Sequence, residues 1–533
     1  MKKIKLKLLC LLGLALVLNS CTSDLNVVPK DDDIFTSEAF FAQPGAYKKA
    51  LAGVYSNFSL TGTGGAGSSS LEGIDAGTSQ YGRCLWYLQD LTSDQIIWSY
   101  ENDPGTRELQ RNIWTAENPV ILGMFSRAMV GVAIVNEFLK QTTPEKLSAR
   151  GVTETALLND IALYRKEARV ARALAYYNLM DLFGKAPFVT ETDPVNFAGP
   201  QYDRQQLFAF IETELTALIP DLKAPRTNEY GRVDQAVARM ILAKMYLNAE
   251  VFIGTPKYNE CVTQCNAIIA GGYALNENYM NNFKADNNLS PELIFTFQAD
   301  GVVTQNYGPT TVMVNGSVGS LEQNGTALGV GAGGWGGAIR LRKQFVQKFE
   351  GVDFDYDSRK TITGGGPRSL EIADIANRNQ GYILTKYSNV SSTGVPGGNS
   401  TFVNTDFPLF RLADVYLMYA ECSLRGATGA TASQALTYVN ALRERANGGN
   451  FANVTAGQVT LNFILDERAR ELYLEGHRRQ DLIRFGKYTG GVYNWAWKGN
   501  GTNGIAISNN LKVFPIPSAS LAANPNLTQN TGY

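Results

Sequence analysis

Long helical runs in which alanine is interleaved with bulky aromatic and aliphatic residues restrict this chain more than any other feature. Residues 164–183 (YRKEARVARALAYYNLMDLF) place apolar and small side chains at helical spacing, and Gly184 follows as a stop. Residues 235–252 repeat the style, with Ala236, Ala238, Ala243 and Ala249 set among larger residues. Residues 410–424, 432–446 and 461–475 complete the set. Small side chains let helices approach closely, in the manner of tetratricopeptide-type helix hairpins. The repeats are degenerate and separated by long insertions, so the pattern predicts a mostly α fold. Helix pairs form the scaffold, and an irregular, loop-rich face is laid over it. Gly- and Ser-rich stretches at 60–79, 316–338, 364–366 and 391–400 supply that face, and loops of this length are commonly functional. Residues 293–297 and 511–516 read as short strands.

The first twenty residues are set apart from the fold. Lys2, Lys3, Lys5 and Lys7 precede an apolar stretch at 8–18 that is short for a bilayer span, and Leu18-Asn19-Ser20-Cys21 follows. That order resembles a bacterial lipobox. It implies cleavage before Cys21 and lipidation there, with acyl chains as a durable membrane anchor. No other stretch reads as a membrane span. Residues 22–33, with the run Asp31-Asp32-Asp33, read as a solvated tether. The full chain carries a formal charge of −1; losing four lysines leaves about −5. No basic face is evident, so nucleic acid is not an expected partner.

The usual catalytic kits are missing from the sequence. Its single histidine, His477, lies among charges in a run read as helical, and suits a helix-surface or structural role. A multi-histidine zinc site is ruled out. The glycine-rich run at 316–338 has no Gly-Lys-Ser/Thr ending, so it is not a phosphate-binding loop. No pair of carboxylates is marked for glycoside hydrolysis. Cys84, Cys261, Cys265 and Cys422 read as buried free thiols, with Cys261 and Cys265 one helical turn apart and poorly placed for a disulfide. A binding role, not an enzymatic one, is the expectation.

Aromatic residues make up 11% of the chain, and three stand where a core has little use for them. Trp98 and Tyr100 alternate, which in an extended segment puts both on one side, and the polar turn Glu101-Asn102-Asp103-Pro104 follows. Trp335 sits inside Gly-Gly-Trp-Gly-Gly, either as a plug for a neighbouring cavity or as an exposed platform. An aromatic face can stack on the C–H face of a pyranose, as it does on a base, while nearby polar side chains bridge hydroxyls. Ordinary core or loop anchoring is the alternative reading of the same residues.

Longer segments resemble a known family, the SusD-like (RagB/SusD) outer-membrane nutrient-binding lipoproteins. They are LFGKAPF at 182–188, DFPLFRLAD at 406–414, RELYLEGHRRQDL at 470–482, FPIP at 514–517 and NLTQN at 526–530. NWAWKG at 494–499, and DGV at 300–302 leading to NYG at 306–308, resemble the starch-binding branch. The resemblance implies a signal peptide at 1–20, a lipidated tether at 21–40 and a single glycan-binding domain at 41–533. It implies a starch or malto-oligosaccharide ligand held on an aromatic arc of Trp98, Tyr100 and Trp335 with Tyr307 beside them. Arg83 is implied as a partner of glucose hydroxyls, with Asn102 or Asp103 at an amide position. A structural calcium ion is implied at Asp406, although Asn288 and Asn404 stand where further acids are expected. The implied partner is a SusC-like TonB-dependent transporter, and the implied place is the outer membrane, facing outward.

Overall fold

The computed structural model describes residues 36–194 and 196–533, so Cys21 and the export segment lie outside the described residues. Its principal helices are α1 (Ala46–Ser56), α2 (Tyr81–Trp86), α3 (Pro119–Gln141), α4 (Thr155–Phe183), α5 (Arg204–Leu218) and α6 (Gln235–Leu247). After them come α7 (Tyr258–Ile269), α8 (Pro309–Gly316), α9 (Leu412–Leu424), α10 (Ala432–Asn447), α11 (Leu461–Glu471) and α12 (Arg478–Arg484). Short polar side chains start several of them. Asn118 caps α3 ahead of Pro119, Asp234 accepts from Ala236 and Val237 at the head of α6, and Asp203 and Gln206 close a capping box on α5. Gly184, at φ 72°, ends α4 where expected.

Neighbours in sequence pack against each other: α3 on α4, α4 on α5, α6 on α7, and α9 on α10, with α7 also meeting α9. Ala168, Ala173, Ala238 and Ala243 are fully buried at these contacts, which is why the interleaved alanines matter. A leucine at Ala173 would overpack the seam by about 1–3 kcal/mol. One continuous hydrophobic core runs through all the helix pairs. Of the four strand pairs among the described residues, two bear on the site: β1 (Ile96–Trp98) antiparallel to β3 (Ile339–Leu341), and β2 (Leu293–Phe297) antiparallel to β4 (Phe407–Arg411).

Several sequence expectations are corrected. Helical structure begins at Ser37–Phe41, inside the stretch expected to be tether, and Phe41 packs on Tyr47 at 5.1 Å. The 23-residue α3 is long and apolar enough to cross a membrane, contrary to expectation, yet it spends much of that surface against α4. The run 235–252 breaks at Asn248, and Phe410 belongs to β4 rather than to the helix after it. Residues 511–516 form no strand; Asn509–Lys512 is a 3-10 turn, and Phe514 donates to the carbonyl of Leu182.

The run expected to be helical through 475 stops at Glu471, and Leu474 takes φ 60°. Tertiary hydrogen bonds override helix propensity there. Gln95 accepts from Leu474 N–H, Asp90 accepts from Gly476 and Arg478 N–H, and Lys386 donates to the carbonyl of Tyr473. His477 is therefore buried, not on a helix surface. Its Nδ1 lies 2.9 Å from Lys244 Nζ.

The charges of 470–482 sit in a buried ionic network. Arg411 bridges Glu292, Glu471 and Glu475, while Arg359 bridges Asp357, Glu467 and Glu471. Arg468 joins Asp414 to Asp481, and Arg478 pairs with Asp94. Burial pushes Glu467 up, but Arg359, Arg470 and Arg443 outweigh it and hold the carboxyl at about 2. Such a network tolerates the removal of one partner badly, because the other is left buried and unpaired.

Candidate functional site

The expected aromatic residues come together around α8. At its C-terminal end the carbonyl of Asn315 accepts from Trp335 N–H at 2.9 Å, which fixes the tryptophan between flexible glycines. Gly334, at φ 41°, has Val318 and the Asn315 carbonyl where a Cβ would sit, so only glycine lets the loop approach this closely. At the N-terminal end Tyr307 packs edge-on against Phe402 at 5.1 Å. Asn315 Nδ2 donates to the carbonyl of Thr401, tying the Phe402 loop to the same helix. An eight-residue helix spans about 12 Å, so α8 is the strut that separates Tyr307 from Trp335.

Trp98 belongs to β1, paired opposite Ile339. Its ring is edge-on to Tyr100 and to Trp335, 6.1 Å from each, and 6.1 Å from Tyr87 on its other side. Trp98 and Tyr100 thus share a side, as their alternation predicts. However, Trp98 is only 2% exposed, whereas Tyr100 is 36% exposed and Trp335 is half-buried. Trp98 offers no free face; it is the prop under the two rings that do. β1 runs into the sheet pair and carries its side chain inward, a placement that spacing alone does not reveal.

Polar groups lock the arrangement. The Trp98 indole N–H donates to Asp103 Oδ2 at 2.8 Å, and its backbone N–H to Gln110 Oε1 at 2.8 Å. Tyr100 Oη donates to the carbonyl of Trp335 at 2.8 Å and accepts from Arg378 Nη1 at 3.0 Å. The Arg378 guanidinium lies 5.7 Å from the Tyr100 ring centre. Of the two adjacent residues in the polar turn, Asn102 is exposed, while Asp103 has one oxygen committed to Trp98. Arg83 is also turned inward, at 5% exposure. It donates to Tyr87 Oη at 2.9 Å and to the carbonyl of Gly77, because Gln80 caps α2 at Arg83 N–H and sets that face against the core. In this structure its guanidinium is a support behind Trp98 and does not face solvent. Arg378, Asn315 and Gln110 went unforeseen, since each acts across more than ten residues of sequence and no local signal marks it.

The Asp406 region does not fit a calcium cage. Asp406 Oδ2 accepts from Tyr230 Oη at 2.6 Å and Oδ1 from Ala299 N–H at 2.8 Å. Burial pushes its carboxyl up to about 6, against those hydrogen bonds. Asn404 Oδ1 accepts from Gly301 N–H, Asn288 is exposed, and the described residues hold no cluster of three acidic, histidine or cysteine ligands. One carboxylate already occupied by protein donors suits a strut, not a hard dication that wants six to eight oxygens.

A family model described as the SusD family matches residues 297–533. The chain is 32% identical to the starch-binding protein SusD of Bacteroides thetaiotaomicron, over 96% of each. It is 24% identical to a SusD-like protein of Bacteroides ovatus, covering 94% of this chain and 87% of that one. Among solved structures, a SusD superfamily protein from Bacteroides vulgatus superposes with a TM-score of 0.68 at 19% identity, covering 91% of this chain and 98% of that one. Surface glycan-binding protein A from Bacteroides thetaiotaomicron, in complex with laminarihexaose, gives 0.67 at 20% identity, with coverage of 91% and 98%. These two structures share the fold.

Proposed function

The chain belongs to the SusD family, and from that premise we propose that it captures α-1,4-glucan (starch or malto-oligosaccharides) at the cell surface. It then delivers the glycan to a SusC-like TonB-dependent transporter in the outer membrane, to which lipidation at Cys21 holds it. The observation that carries this reading is the pair of accessible rings, Tyr100 and Trp335, fixed in place by Trp98, Asn315 and Arg378. Pre-set aromatic faces bind sugar rings without first being ordered. Tyr307 extends the row along α8, and Asn102 and Arg378 supply donors for hydroxyls. A relative named for starch binding, matched over nearly its whole length, supports α-glucan as the ligand.

The role is capture, not catalysis. His477, the single histidine, is buried beside Lys244 and Asp414 and is not presented to solvent. The alternative ligand is another glycan or a peptide, and the laminarihexaose bound by one fold relative makes β-1,3-glucan the comparison to run. Calorimetry with maltoheptaose and α-cyclodextrin against laminarihexaose and dextran separates the readings. Heat from the first pair and none from the second supports α-1,4-glucan capture; the reverse would replace it. New reducing ends from pure protein on amylopectin would overturn the non-enzymatic role.

A further inference from the structure

A second exposed aromatic, distinct from the Tyr100–Trp335 face, has the features of a built sugar subsite. Tyr230 is 44% exposed, at the rim of a cleft of about 380 Å³ between α1 and the turn at 229–232. Its ring is not free to swing. The hydroxyl is held by the buried Asp406 carboxylate at 2.6 Å and lies 3.1 Å from Thr296 Oγ1, so Thr296 of β2 and Asp406, just ahead of β4, clamp the tip while the ring stays outside. No other aromatic ring of the described residues stacks on it. An exposed ring fixed at its tip suits stacking, since little entropy remains to be lost on binding.

The groups around it suit hydroxyls. Gln298 is exposed, and its carboxamide has no hydrogen-bond partner among the described residues. It lies directly over Gly231, which is at φ +76°, and a Cβ there would collide with the Gln298 amide. Lys48 and Glu229 form a solvent-exposed pair at 2.7 Å, 54% and 57% exposed. A pair of that kind holds weakly and can exchange one contact for a sugar hydroxyl. Thr304 also lines the cleft, on the same loop that carries Tyr307. A cleft of this volume has room for a short run of sugar units.

We propose that Tyr230, with Gln298 and the Lys48–Glu229 pair, forms a second glycan-binding subsite for a hexose unit of the same chain type that the Tyr100–Trp335 face takes. The assignment of ligand class rests on the glycan-capture reading; the site itself rests on the clamp and the cleft. Two sites joined by the loop of residues 298–308 would hold a long polysaccharide by avidity, while a short oligosaccharide engages them singly.

Native gels cast with amylopectin test this on the mature chain, comparing wild type, Trp335→Ala, Tyr230→Ala, Gln298→Ala and the Trp335→Ala/Tyr230→Ala double variant. Gln298→Ala leaves the Asp406 clamp intact and guards against a folding defect in Tyr230→Ala. The expected result is partial retardation of Trp335→Ala, a further loss of roughly tenfold in the double variant, and weakened retardation of Gln298→Ala. Retardation of Tyr230→Ala and Gln298→Ala equal to wild type, with none left in Trp335→Ala, overturns the second subsite and leaves the first reading standing. Should amylopectin fail to retard even the wild type, the α-glucan reading falls. Laminarin and xylan gels then decide the subsite by the same comparison, and retardation by no glycan overturns both.

Discussion

Trp98→Ala separates a prop from a platform. The ring is 2% exposed, and a tryptophan of this kind removes about 200 Å² from water. At about 25 cal/mol per Å² that burial stabilises by about 5 kcal/mol. Three edge-on contacts, to Tyr87, Tyr100 and Trp335, add about 0.5–1.5 kcal/mol each, and the indole N–H to Asp103 about 1 kcal/mol. Measured truncations of buried aromatics run about 3–5 kcal/mol, because neighbours relax, and that is the loss expected here. In urea the first cooperative transition should shift to lower denaturant by that amount, and glycan binding should fall because Tyr100 and Trp335 lose their backing. Trp98→Phe should recover most of the stability and a good part of the binding. Trp335→Ala should do the opposite: unfolding changed by about 1 kcal/mol or less at a half-buried site, with binding weakened roughly tenfold to a hundredfold. If Trp98→Ala unfolded like wild type yet lost all binding, Trp98 would be a ligand face and the prop argument would fail.

Glu471→Gln should destabilise by about 3–5 kcal/mol, since Arg411, Arg359 and Arg445 would lose a shared buried counter-charge; urea unfolding reads it directly. From these buried carboxyls, stability should be highest near about pH 4. Glu467 and Asp481, both held at about 2 by arginines despite burial, contribute stability that is present above about 4.5 and lost as pH falls towards 2. Asp90 and Asp406, pushed up by burial to about 7 and about 6, contribute stability that is present below about 3.8 and lost as pH rises through those values. A thermal melt series across pH 3–8 checks the bell. Burial raises the thiol pKa of Cys84 to about 12 and also pushes up Cys261 and Cys422, so a thiol reagent should leave the native chain's four internal cysteines unmodified and label them on unfolding.

The scaffold was largely legible because its information is local. Alanines at helical spacing, Gly184 after Phe183 and caps such as Asp234 act within a turn or two of where they stand, and the helices begin and end close to those marks. The failures share a cause. Leu474 leaves the helix because Gln95 and Asp90, hundreds of residues upstream, offer better partners for its own N–H and for that of Gly476. Of the two roles open to His477, helix-surface and structural, the surface one fails because a run of charges looks solvated, whereas these charges pair with one another in the core. At the candidate site, alternation correctly put Trp98 and Tyr100 on one side, but it carries no information about depth. Depth is set by β3, whose pairing with β1 no local pattern announces. Arg378 is invisible for the same reason: 278 residues separate it from Tyr100.

The central claim is capture of α-1,4-glucan on the Tyr100–Trp335 face. Isothermal calorimetry of maltoheptaose and α-cyclodextrin against wild type and Trp335→Ala tests it most directly. Saturable binding of both sugars by wild type and a roughly tenfold or greater loss in the variant are expected. Equal affinities in the two proteins, or no heat with wild type, would contradict it.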